Sequence, residues 1–279
     1  KRANLNVAVV EKEYLGTGQI AESSRVDNYP GIPGIDGYSL GEKFREHAES
    51  LGVEFTEAQV LSLGQKDGIW IIGCDEDITL ESKAVIYATG CKNRPLGVPG
   101  EEKYYGRGLS FCAVCDGAFY KGKRVAVIGG GDTALDDAMY LSDICEKVYL
   151  VHRREFFRGS ASTLEKLKQK ENVEIIVNAR VEEITGDKKI DGIILDNKTK
   201  LNISGLFAAV GMIPQTELLK EFGVLDESNY VKASEDTKTT VNGLFAAGDV
   251  RTKQLRQVVT AAADGANAIY SVMEYLRNI

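Results

Sequence analysis

Two cysteines three positions apart, Cys112 and Cys115, are followed at once by a carboxylate in the run Cys112-Ala113-Val114-Cys115-Asp116. This spacing puts two thiols within disulfide reach. It suits dithiol exchange, in which one thiolate attacks a disulfide and its neighbour resolves the mixed intermediate. Zinc binding is the rival chemistry, but a closed zinc site takes four ligands. No second Cys-x-x-Cys is present, and the two histidines, His47 and His152, are distant in sequence. An inert buried pair is the remaining alternative. Cys74, Cys91 and Cys145 stand alone and read as plain thiols.

A second chemistry-bearing pattern begins at Gly129-x-Gly131-x-x-Ala134, directly after the apolar run Val125–Ile128 and directly before a helical pattern over 132–142. Glycines there permit a tight turn and close approach of backbone to a pyrophosphate, and the helix N-terminus offers free N–H groups to it. About twenty residues past such a loop, at the end of the second strand, residue type reports which nicotinamide is used. His152, Arg153 and Arg154 stand there, with Arg158 a turn beyond. Guanidiniums favour a 2′-phosphate where an acid would repel it, which selects NADPH. The alternatives are a glycine turn without a ligand and a solvated basic turn. A third, dispersed set comprises Glu11 ending a short apolar strand, Gly18-Gln19, Asn28, Thr89-Gly90 and Gly248-Asp249. An acid ending a second strand is where a dinucleotide unit holds an adenosine ribose. The glycine loop expected about twenty residues upstream of Glu11 would fall before Lys1.

The elements needed to position these groups are legible as alternating short strands and helices. Periodicity predicts strands over 6–10, 53–58, 69–74, 84–88, 125–128, 148–151, 173–177, 190–195, 206–210 and 244–247, and helices over 37–51, 132–142 and 257–276. Ala-rich sequence around Gly265 suggests a final helix pressed closely against a flat surface. The stretch from 124 to 151 is a βαβ unit. A chain of 279 residues, 43% hydrophobic and 27% charged, is long enough for two cores. A net charge of −7 argues against a nucleic-acid groove. The apolar runs are far shorter than the roughly 20 residues a membrane-spanning helix needs, so no membrane partner is expected. With no export signal at its start and five sparse cysteines, the sequence leads us to expect a reducing, cytoplasmic setting.

Taken in order, Cys112–Gly117, Gly129–Ala134, His152–Arg158 and Leu244–Val250 resemble the redox motif, nucleotide loop, phosphate clamp and flavin-ribityl motif of low-molecular-weight thioredoxin reductases. The resemblance covers essentially the whole chain. It implies an α/β fold of two Rossmann-like, three-layer dinucleotide-binding domains, the second inserted in the first. Residues 1–107 and 239–279 would form an FAD-binding domain, its first part N-terminally incomplete, and 108–238 an NADPH-binding domain carrying the dithiol, with linkers near 107–109 and 237–239. By that similarity Glu11, Gly18, Gln19, Asn28, Thr89, Gly90, Gly248, Asp249, Arg256, Gln257 and Val258 fall on flavin-contacting positions. Gly129, Gly131, Asp132, Thr133, His152, Arg153, Arg154, Arg158 and Gly211 belong to the nicotinamide site.

The activity implied is reduction of thioredoxin, or a similar small dithiol protein, by NADPH through FAD, in a homodimer. Cys115 would face the flavin, Cys112 would attack the partner's disulfide, and Asp116 would serve as acid/base. Val114 stands where the family usually has Thr, a departure expected to be mild. A reductase of a peroxidase system or of a small-molecule dithiol is the related alternative; the arginines and the lack of an appended thioredoxin-like domain stand against the first. A non-catalytic nucleotide-binding fragment is the unrelated one, and flavin content separates it.

Overall fold

The computed structural model describes residues 1–13, 18–23 and 25–279. The chain forms two compact units, one made of Lys1–Lys92 with Ile213–Ile279 and the other of Asn93–Met212. The nested arrangement is the expected one, but the divisions fall earlier than 107 and 238. The reason is packing. Residues 213–238 carry Leu219, Val224 and Val231, all buried with Trp70, Tyr87 and Leu244 in the core of the first unit. Residues 93–107 carry Val98 and Tyr104, buried with Leu109 and Leu206 in the second. Neither stretch has a periodicity that tells which core it joins.

In the second unit, five parallel strands run in the spatial order Val173–Ile176, Lys147–Val151, Arg124–Gly129, Gly205–Ala209 and Leu109–Ser110. The central strand is buried on both faces, so it reads as a continuous apolar run rather than an alternating one. Val125 and Val127 face a core with Leu135, Ala138, Leu141 and Leu167. Ala126 and Ile128 face another with Ile184, Ile193 and Leu195. Helices α3 (Asp132–Ser142) and α4 (Ala161–Lys168) supply the first layer. An antiparallel sheet of Val181–Thr185, Gly192–Leu195 and Lys200–Asn202 supplies the other. Each fully buried leucine contributes about 1.5–3 kcal/mol. The unit is the three-layer α/β domain expected.

The first unit pairs Ala8–Glu11 in parallel with Glu54–Glu57, and Val85–Tyr87 in parallel with Leu244–Ala246. Helix α1 (Gly37–Ser50) begins where the Asp36 side chain accepts from Ser39 N at 2.9 Å, and it buries Leu40 completely. A three-stranded antiparallel sheet, Val60–Lys66, Ile69–Cys74 and Thr79–Ser82, packs Trp70 into the core. Helix α5 (Val258–Arg277) starts from a capping box made by Gln257 and Thr260. It buries Asp264, Ala268, Ser271 and Val272, while a Cβ at Gly265 would meet nothing within 4 Å among the described residues. Among the described residues, nothing packs closely on the helix at Gly265.

Candidate active site

The two cysteines form a disulfide, with Cα atoms 5.3 Å apart. Cys112 is the N-cap of a single helical turn, α2 (Ala113–Asp116), which contains Cys115, and Cys112 Sγ accepts from Cys115 N at 3.2 Å. Ser110, at the end of the edge strand, fixes this turn. Its hydroxyl accepts from Cys112 N at 3.1 Å and donates to Asp116 Oδ2 at 2.6 Å. Burial pushes the Asp116 carboxyl above its ordinary range, and the Ser110 hydrogen bond opposes that rise. Gly117 lets the turn press on α3, since a Cβ there would come 2.7 Å from Tyr140 Cε1 and 3.0 Å from Leu141 Cδ2. Val114 at the top of the turn is 62% exposed. Sequence reasoning missed Ser110, whose partners lie two and six residues on across a turn.

On the same unit, the strand Arg124–Gly129 runs into the glycine loop and α3. Each glycine has its own reason. A Cβ on Gly129 would overlap the Ala209 carbonyl, and one on Gly130 would overlap the His152 ring, whereas at Gly131 the space is open. The open side is what a pyrophosphate approaching the backbone requires. The arginine-bearing segment folds over this loop: Arg158 N and Gly159 N donate to Gly130 O at 2.7 and 3.2 Å, and Ser160 N donates to Asp132 Oδ1 at 2.7 Å. Gly159 fits because a Cβ there would stand 2.8 Å from Asp132 N and Gly131 C.

Arg153, Arg154 and Arg158 are exposed beside the loop. His152, grouped with them by sequence, is different. It is buried, with Nε2 3.2 Å from Phe156 O and its ring stacked near Phe157 at 4.9 Å. Burial holds its pKa below the ordinary value, against the Phe156 hydrogen bond, so it braces the loop as a neutral ring. Thr133 is exposed on the first turn of α3, and Gly211, at φ +105°, accepts from Arg94 N at 3.0 Å.

In the first unit, members of the dispersed set meet in pairs, Asn28 with Gln257 and Arg256 with Asp249. Asn28 Nδ2 donates to Gln257 Oε1 at 2.7 Å across 229 residues. Thr89 Oγ1 and the Tyr87 hydroxyl both donate to Gln215 O, at 2.6 and 2.9 Å, and Gly90 follows at φ +67°. Cys91 Sγ and Arg256 Nε donate to Asp249 O at 3.0 and 3.2 Å. Burial raises the Cys91 thiol to about 11, so it stays protonated. Gly18 and Gln19 lie in a 3-10 turn, Gly18–Glu22, and Val258 opens α5.

Two carboxyls of the first unit are raised in pKa. Burial lifts Glu11 to about 7, against the charge of Arg45. Asp249 is also raised by burial, and its Oδ1 is buried with no hydrogen-bond partner among the described residues. A buried acceptor left orphaned costs about 1–3 kcal/mol, so ligand hydroxyls donating to it would restore what is missing. A ribityl or ribose chain presents such donors, and the residues fit FAD in that respect.

Sequence reasoning also missed the group that holds this turn. Asp264, buried on α5, accepts from Gly248 N at 2.8 Å, from Arg251 Nε and Nη2 at 2.7 and 2.6 Å, and from Lys253 Nζ at 3.0 Å. An acid within an Ala-rich apolar helix was the available signal. Among the described residues no group of three or more metal-ligating side chains is assembled, and no helix is long and apolar enough to cross a membrane.

A disulfide and a nucleotide loop sharing one parallel sheet define a class of protein, the nucleotide-dependent disulfide oxidoreductases. The chain belongs to the pyridine nucleotide-disulphide oxidoreductase family, whose model matches residues 1–265. Within it, the chain is similar to thioredoxin reductases. That of Mycoplasma genitalium is 37% identical over 98% of this chain and 89% of its own length. That of Bacillus subtilis is 36% identical over 100% and 89%. The crystal structure of thioredoxin reductase from Streptococcus pyogenes superposes with a TM-score of 0.91 at 38% identity, covering all of this chain and 92% of that one.

Proposed function

We propose that this chain is an NADPH-consuming flavoprotein that reduces the disulfide of thioredoxin. The observation that carries the reading is the Cys112–Cys115 disulfide on the same unit as a glycine loop overlain by an arginine-bearing segment. The similarity to thioredoxin reductases over the whole chain supports the choice of acceptor. The first unit would hold FAD at Glu11, Asn28, Gly90, Asp249 and Gln257 with their neighbours. The second would hold NADPH at Gly129–Thr133, Gly211 and the three arginines. When bound, FAD would take the reducing equivalents of NADPH and deliver two electrons to the disulfide.

The chain's own residues then do the rest. Once reduced, the Cys112 thiolate attacks one sulfur of the partner's disulfide, forming a mixed disulfide and breaking the partner's S–S bond. Cys115 attacks Cys112 Sγ, re-forming the Cys112–Cys115 bond and releasing the second partner sulfur. Two electrons and two protons pass to the partner. Asp116, half-buried beside the pair and raised in pKa, is the proton carrier at hand. Arg153, Arg154 and Arg158 recognise the 2′-phosphate as exposed, permanently charged donors. Sparse cysteines, three of them free, support a reducing, cytoplasmic setting, and the resemblance to the family supports a homodimer.

The test is NADPH oxidation with thioredoxin as acceptor, on purified protein with its flavin quantified. Cys112→Ser should abolish thioredoxin turnover and leave flavin reduction by NADPH intact. A variant that still turned thioredoxin over would overturn the reading.

A further inference from the structure

Ser110 is 6% exposed and stands between the backbone of Cys112 and the carboxyl of Asp116. Its Oγ lies 3.1 Å from Cys112 N, 3.4 Å from Cys112 O and 2.6 Å from Asp116 Oδ2. A hydroxyl has one proton to give and two lone pairs to offer. With Asp116 ionised, the Cys112 N–H fills one lone pair and the Ser110 O–H goes to Oδ2. With Asp116 protonated, the carboxyl O–H can fill the second lone pair, and the Ser110 O–H can turn to the Cys112 carbonyl. Each state satisfies every one of these partly buried groups. A carboxyl that must gain and lose a proton in a half-buried site needs such a partner, because an unsatisfied buried polar group is costly in either state.

We propose that Ser110 is a positioning residue that keeps the Asp116 carboxyl hydrogen-bonded in both of its protonation states, by turning its hydroxyl between Asp116 Oδ2 and the carbonyl of Cys112. This rests on reading Asp116 as the proton carrier of the dithiol. The hydroxyl ties the carboxyl to the main chain of Cys112, the cysteine assigned to attack, so proton transfer at Asp116 leaves the redox turn in place. Among the described residues, the other titratable groups placed against this segment are the paired cysteines, Tyr120 on the following turn, which the Asp116 charge holds up in pKa behind the larger effect of burial, and Tyr140 from α3. None of them is a cation.

The decisive measurement is the titration midpoint of Asp116 in the oxidised full chain, followed by the carbonyl stretch of its protonated form in infrared difference spectra and assigned by its loss in Asp116→Asn. Ser110→Ala and Ser110→Gly should each raise the midpoint by about one pH unit, because the ionised state loses a charge-assisted hydrogen bond and the protonated state only a weaker, neutral one. Ser110→Thr, which keeps the hydroxyl, should restore it. In the reduced chain, the pH profile of Cys112 alkylation by iodoacetamide should move with the midpoint, and Ser110→Ala should add nothing in the Asp116→Asn background. An unmoved midpoint in both hydroxyl-less variants, or no rescue by Thr, would sink the proposal. Thioredoxin turnover by the wild type bears separately on the reading beneath it, since the infrared midpoint needs no acceptor.

Discussion

Single side chains differ in how much of their task is written in their type. Arg153, Arg154 and Arg158 stand out by type, because exposed guanidiniums after a second strand suit a 2′-phosphate, the role proposed for them. Each charge-assisted hydrogen bond to a 2′-phosphate is worth about 1.5–3 kcal/mol. Replacing Arg153 and Arg154 together by Ala should therefore raise KM for NADPH by an order of magnitude or more and leave KM for NADH nearly unchanged. Equal losses with both nucleotides in steady-state assays would count against the clamp. Asp249 is less plain in sequence, since Gly-Asp is an ordinary turn. Its orphaned, buried Oδ1 turns the resemblance into a physical demand for donors. Asp249→Leu removes that acceptor with little change in size, and it should weaken flavin retention by at least tenfold while leaving the fold's thermal stability level or higher. Flavin titration beside a melting curve reads both at once.

Elements are where sequence was most and least informative. The glycine loop and α3 were legible because the demand is local: Gly129 and Gly130 have no room for a Cβ, and the helix follows directly. Gly130→Ala should push the loop off the His152 ring and cost nicotinamide binding strongly, with flavin content unaffected. Isothermal titration with NADPH against the flavin absorbance would show the split. The unit boundaries were not legible, because residues 213–238 enter the first core through side chains that pack on Trp70 and Tyr87, far away in sequence. The Asp264 cluster was hidden for a similar reason: Arg251 and Lys253 reach it from 13 and 11 residues away, and no spacing rule joins a loop to the face of the next helix. Burial pushes Asp264 up, but the bonds from Arg251, Lys253 and Gly248 outweigh it and leave the carboxylate below its usual range. Asp264→Ala would take the carboxylate from Lys253 and leave Arg251 only the exposed Glu235 as an acid partner among the described residues, and it should cost about 3–5 kcal/mol, seen as a lowered melting temperature that Asp264→Glu only partly recovers.

Across the whole molecule, burial brings two described carboxyls to about 7, Glu11 in the first unit and Asp137 on α3 in the second. Burial is the main cause in each, with Arg45 opposing it and Glu13 adding at Glu11, and Asp136 adding at Asp137. Unfolded, both would ionise near their ordinary values of 4.5 and 3.8. The folded chain therefore binds protons that the unfolded chain has released. The stability tied to these two groups is full below those ordinary values and is lost as pH rises to about 7. The ligand-free protein should melt at falling temperature across that window, and Glu11→Gln with Asp137→Asn should flatten the trend. Binding at Glu11 carries the opposite sign. Ribose hydroxyls held at Glu11, as proposed, would donate to the ionised carboxylate and favour it, so flavin affinity should weaken as pH falls below about 7, where the free chain holds Glu11 protonated. Equilibrium flavin titrations at successive pH values should show this slope in the wild type and lose it in Glu11→Gln. A wild-type affinity that strengthened toward acid would mean that Glu11 meets its ligand protonated, as a donor rather than an acceptor.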